Sequence, residues 1–101
     1  MKLIMIKIYK GEDFDSLIKK RVLVDFYADW CGPCKMLGQV LEQLEDIDII
    51  KINVDEEEEL AKKYKVMSIP NMFIVKDGEI VKQMIGFKSK DEILEEIESI
   101  K

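Results

Sequence analysis

Two cysteines, Cys31 and Cys34, stand three residues apart with Gly32 and Pro33 between them, and an acid, Asp25, lies six positions before the first. Thiols at that spacing fall on one side of a helical turn and close a small disulfide ring with little backbone movement. The chain contains no histidine. Cys–His catalysis, histidine-ligated zinc and an imidazole base are thereby excluded, and other groups must tune the sulfurs. Pro33 suits a first helical turn, where its missing N–H costs nothing. Gly32 lets the backbone turn tightly. Free N–H groups at the start of a helix favour a thiolate. Exchange with a disulfide needs an attacking thiolate and a second thiol to resolve the mixed species. Exposure assigns the roles: Cys31, nearer the surface, attacks, and Cys34, one turn in and more buried, resolves.

Asp25 has two readings. Its strand, "RVLVDFYA" (21–28), is apolar almost throughout, as a central strand covered on both faces would be. A carboxylic acid there loses water and its pKa rises, which matches it to a thiol as a base for Cys34, directly or through a water. The alternative is a partly exposed strand-end acid bound to Lys51 or to a backbone amide. The cysteine pair has rivals as well. Structural zinc takes four ligands, and one pair without histidine falls short unless two chains share the ion. Two inert core cysteines would not call for the Gly-Pro insert or the adjacent Trp30. Redox chemistry is the preferred reading, with no metal.

The elements that must carry these residues alternate along 101 residues, a length for one domain, 1–101. Residues 3–9 read as a strand, 13–20 as a helix burying Phe14, Leu17 and Ile18, and 21–28 as the central strand. A helix over 34–44 turns Leu37, Val40, Leu41 and Leu44 inward, and 47–54 is a strand. "DEEEELAKKY" (55–64) opens with acids and closes with lysines, as a helix dipole prefers, with Asp55 and Glu58 as a capping box. Strands over 71–76 and 79–85 flank Asp77-Gly78, a hairpin signal. Ser89 and Glu92 form a second capping box before a helix with Ile93, Ile97 and Ile100 inward. The class is α/β: βαβαβ, then αββα, a mixed sheet with helices on both faces. The ligand site of such a sheet lies beyond the carboxyl ends of its parallel strands, where "ADWCGPCK" falls.

Hydrophobic residues make up 48% of the chain, enough for a core without staples. Charged residues make up 37% and the net charge is −5, which argues against nucleic-acid binding. No apolar stretch approaches the ~20 residues that span a membrane. The N-terminal apolar run, interrupted by Lys7, reads as a strand and not as a signal peptide. A lone cysteine pair with no export signal points to the cytoplasm, where thiols stay reduced.

"WCGPCK" after "VDFYAD", the Ile69-Pro70 pair and the strand–Asp-Gly–strand hairpin in register together resemble the thioredoxin family over nearly the whole chain. The resemblance implies the thioredoxin fold, with Cys31 and Cys34 as the redox-active disulfide and no other cofactor. It implies that Asp25 is the family's buried acid and that Lys51 is the lysine near it. Ile69-Pro70 matches the family's cis-proline loop facing the disulfide, whose bland reading is a loop proline before an edge strand. Trp30, Gly32, Pro33, Ile69, Pro70, Gly86 and Phe87 then form an apolar collar for docking clients. Met67 joins that collar, or it fills space over the core, as Phe87 also could. Two positions depart from the pattern: Gln39, preceded by Gly38, replaces a helix proline, and Asn71 replaces the threonine after Ile-Pro. The first bears on helix geometry and the second on substrate contacts.

The implied activity is that of a monomeric protein-disulfide reductase acting on diverse disulfide-containing proteins. A thioredoxin reductase restores its dithiol. The alternatives are a disulfide oxidant or isomerase, and a binding module whose thiols are incidental.

Overall fold

Strand β2 (Val22–Tyr27) is buried from Val22 through Phe26, so it takes the middle of the sheet. A computed structural model describes residues 5–100. The five strands lie in the order β1-β3-β2-β4-β5, with β1 at Ile6–Ile8, β3 at Asp48–Asn53, β4 at Asn71–Lys76 and β5 at Glu79–Ile85. β1, β3 and β2 are parallel, while β4 runs against β2 and β5 against β4. Leu3 and Ile4, expected in the first strand, lie outside the described residues.

Chain direction decides what meets at one end of this sheet. The carboxyl ends of β2 and β3 share it. Because β4 is reversed, its start at Ile69-Pro70 arrives there too. Because β5 is reversed again, its end at Gly86 arrives as well, and the Gly86 amide donates to the Pro70 carbonyl at 2.8 Å.

Period-two alternation sends the two faces of β2 to two cores. Leu23 joins Ile49, Met72 and Ile74 under α2 (Gly32–Leu41) and α4 (Lys90–Ser99), whose Leu37, Leu41, Ile93 and Ile97 pack inward. Val22, Val24 and Phe26 face α1 (Phe14–Leu17) and α3 (Glu58–Lys63) with Phe14, Ile18 and Ala61. Rings of Phe14, Tyr64, Phe26 and Phe73 meet there at 5.6–6.1 Å between centroids. Each fully buried apolar side chain of this size contributes ~1.5–3 kcal/mol. Asp25 sits on the α2 side of β2, in step with Leu23.

The hairpin turn follows the sequence signal: Asp77 and Gly78 both have positive φ, 53° and 84°. That pair of left-handed residues matches the twist of the strands it joins. Ser89 caps α4 by accepting from the Glu92 amide at 3.2 Å, and the Glu92 carboxylate accepts from the Ser89 amide at 3.0 Å. Ile100 ends that helix half-buried against the core. α2 stops at Leu41, so Leu44 is buried from the turn that follows.

The expected Asp55–Glu58 capping box does not form. Asp55 does not cap α3, which starts at Glu58 with Glu57 in the cap position and no side-chain cap bond. The Asp55 amide donates to Asn53 Oδ1 at 2.9 Å, which holds Asp55 in the loop after β3. The dipole reading survives, with Glu58 and Glu59 in the first turn and Lys62 and Lys63 in the last. Ser89→Ala, which removes the one reciprocal cap, is expected to lower the unfolding free energy by ~1 kcal/mol in a guanidinium titration.

Candidate active site

Cys31 is the N-cap residue of α2, in extended conformation with φ −91° and ψ 108°. Pro33 lies in the first turn as its fixed φ allows. Cys31 and Cys34 are joined in a disulfide, with their Cα atoms 5.2 Å apart. The Cys34 amide donates to Cys31 Sγ at 3.2 Å. The sulfur thus occupies the place a capping oxygen usually takes, where a helix start stabilises negative charge. Exposure does not separate the two residues: Cys31 is 5% exposed and Cys34 4%. The expectation that Cys31 is the more open of the pair is corrected. The disulfide packs against Ala28, Tyr27, Val54 and Ile69, which shield both residues. What distinguishes the sulfurs is the amide aimed at Cys31.

Asp25 has no exposed surface, and neither carboxylate oxygen has a hydrogen-bond partner. A partly exposed acid bound to a lysine or an amide is therefore not what the fold contains. Burial raises its pKa to about 7, with the Lys51 cation pulling the other way. Asp25 and Lys51 are register partners across β2 and β3. The Lys51 ammonium lies 4.8 Å from the centre of the Tyr27 ring, a cation–π distance. A cleft of about 370 Å³ opens between α2 and these strand ends, and both Cys34 and Lys51 line it. Among the described residues no group of three or more acids or cysteines is placed to hold a metal ion.

Ile69-Pro70 is a cis peptide bond. It brings the Ile69 carbonyl oxygen to 4.0 Å from Cys31 Sγ. Trp30 is 71% exposed, Phe87 41% and Met67 93%, and Gly32 and Pro33 are open as well. Ile69 and Gly86 are half-buried, and Pro70 is buried. Of the residues expected in the collar, Trp30, Gly32, Pro33, Met67 and Phe87 are thus accessible and Pro70 is not. Met67 fills no core position.

One pairing escaped the sequence reading. Trp30 Nε1 donates to Asp55 Oδ2 at 2.9 Å. Asp55 in turn is fixed by the buried side chain of Asn53. An exposed ring beside the disulfide is held by its one polar atom. The signal was present as an Asn-x-Asp at the end of a parallel strand, but the acidic run after Asp55 made a helix cap the nearer explanation.

The buried acid has a consequence for stability. Below about pH 4 the Asp25 carboxyl is protonated in folded and unfolded chains alike, since its ordinary value is 3.8. Between there and about 7 the unfolded chain ionises while the fold keeps the proton, so stability falls as pH rises and then levels off. Asp25→Asn removes that loss. Calorimetry is expected to find the variant more stable at pH 8, by ~4 kcal/mol, since the folded and unfolded midpoints stand about three units apart and each unit is worth ~1.4 kcal/mol. The gain should vanish below pH 4.

The match to a thioredoxin family model runs over residues 5–99. The thioredoxin of Staphylococcus epidermidis is 51% identical, over 82% of this chain and 86% of that one. That of Bacillus subtilis is 52% identical over 73% and 76%. Among solved structures, a mutant thioredoxin from Halobacterium salinarum superposes with a TM-score of 0.83 at 36% identity, covering 95% of this chain and 89% of that one. The Malassezia sympodialis thioredoxin gives 0.83 at 27% identity, over 98% and 96%. The mixed sheet with its two helical layers is the thioredoxin fold. Identity at this level over most of both chains, on that shared fold, makes this chain a member of the thioredoxin family.

Proposed function

We propose that the chain is a protein-disulfide reductase in which Cys31 is the nucleophile, Cys34 the resolving thiol and Asp25 the base. The observation that carries the reading is the Cys34 amide directed at Cys31 Sγ at the start of α2. The same donor that meets the sulfur of the disulfide stabilises a thiolate once the bond is reduced.

The Cys31 thiolate attacks one sulfur of a client disulfide, forming a Cys31–client bond and expelling the other client sulfur as a thiolate. Cys34 gives its proton to Asp25, and its sulfur attacks Cys31. The Cys31–client bond breaks, the second client sulfur leaves and both client thiolates are protonated from Asp25 and water. Two electrons pass from the dithiol to the client, and the Cys31–Cys34 disulfide remains. A base of pKa about 7 is matched to such a thiol, and burial is what sets it there. Lys51 beside it limits the rise.

The family resemblance supplies the partners: diverse disulfide-containing proteins as clients, and a thioredoxin reductase to restore the dithiol. Clients dock on Trp30, Gly32, Pro33, Ile69, Gly86 and Phe87, an apolar surface able to accept varied sequences. Pro70 supports that surface from below. The Trp30–Asp55 bond fixes the ring that a client meets first. The disulfide itself is the redox group. The chain acts as a monomer in the cytoplasm. Among the described residues no helix is long and apolar enough to cross a membrane.

With dithiothreitol as donor, the protein is expected to accelerate the precipitation of reduced insulin. The Cys34→Ser variant should instead accumulate mixed disulfides through Cys31, read by mass spectrometry. No acceleration, or adducts located elsewhere, would sink the reading. Asp25→Asn tests the base: release of the mixed disulfide should slow by ~10²-fold or more near pH 7, the usual scale of general-base loss, while its formation changes less. Equal slowing of both steps would leave Asp25 a structural acid.

A further inference from the structure

Gly38 lies in the interior of α2, where glycine weakens a helix relative to alanine, and its backbone is not in the left-handed region that would require it. A Cβ built at position 38 has one near neighbour, Lys51 Nζ, at 3.4 Å. The same ammonium lies 4.8 Å from the centre of the Tyr27 ring. The charge therefore has both an aromatic ring and a stretch of bare helix backbone as near neighbours, beside the cleft that Cys34 also lines.

We propose that Gly38 is a positioning residue for Lys51: the missing side chain leaves the seat of the ammonium, and a larger residue there moves that charge away from Asp25. The titratable groups around the cleft are Tyr27 at the end of β2, Asp29 beyond it, Lys35 and Glu42 along α2, and Lys51 from β3; Cys34, in its disulfide, does not titrate. On the remaining side β4 sets Met72, which does not titrate, opposite Asp25. Of these groups, Lys51 is the one that lowers the Asp25 value against burial. Residue 38 thus acts on the acid only through the lysine. The inference rests on the reductase reading for its bearing on catalysis, but its test needs no substrate.

The Asp25 carboxyl is titrated by carbon-13 NMR in the oxidised full chain. Gly38→Leu is expected to raise its midpoint by about half a pH unit, the change for a unit charge withdrawn from ~6 to ~8 Å at an effective dielectric of ~20. In a Lys51→Met background the same leucine should add no shift. Gly38→Val, whose branches reach past the 3.4 Å contact that a lone Cβ would make, gives a smaller rise with the same dependence on Lys51 and stands in if leucine disrupts folding. A midpoint unchanged or lowered with Lys51 present, or a rise that persists without Lys51, overturns the proposal. Insulin reduction by the parent chain is a separate measurement, so failure here leaves the reductase reading standing.

Discussion

A central strand covered on both faces leaves no water for a charge placed inside it, and the active end of this molecule depends on that constraint. β2 is hydrogen-bonded to β3 on one side and β4 on the other, and helices close over it above and below. Apolar residues along the strand gain from this burial. Asp25 alone loses by it, because neither of its oxygens is given a partner. The loss falls on the charged form, which is why the acid holds its proton to about neutrality instead of abandoning it near pH 4. A hydrogen-bonded Asp25 would be a better structural residue and a poorer proton acceptor for a thiol.

The other parts of the site are arranged around strand direction. The reversal of β4 is what carries Ile69-Pro70 to the cysteines, and the reversal of β5 carries Gly86 to Pro70. Three loops and one helix start therefore converge without any long connection. In a chain without histidine, the polar groups nearest the Cys31 sulfur belong to the backbone. The Cys34 amide meets Cys31, the Ile69 carbonyl stands near the same sulfur, and the Asn53 side chain orders the loop that anchors Trp30.

Much of this was legible from residue order. The near-continuous apolar run of 21–28, the Asp77-Gly78 turn and the Ser89–Glu92 cap each express a local rule that the fold obeys. The cysteines were legible because their spacing and the Gly-Pro between them suit a helix start, whereas Asp25 read two ways from its strand and only the family resemblance marked it as a buried acid. What was not legible depended on tertiary contact. Asp55 looks like a cap in one dimension, and only the fold brings the Trp30 indole to it across 25 positions. The relative exposure of Cys31 and Cys34 depends on Ala28, Val54 and Ile69, which arrive from three separate segments. Gly38 reads as a helix weakness until Lys51 is seen lying against it.

The short separation of the two cysteines has a thermodynamic corollary. Tying residues three apart restricts an unfolded chain far less than a long-range crosslink does, so the ring itself adds little to folding. In the cycle that links folding with oxidation, any difference in stability between dithiol and disulfide forms equals the shift in the couple's equilibrium on folding. With the polymer contribution small, that shift belongs almost wholly to the surroundings of the sulfurs. The couple can then be retuned by its neighbours without re-engineering the chain's cohesion.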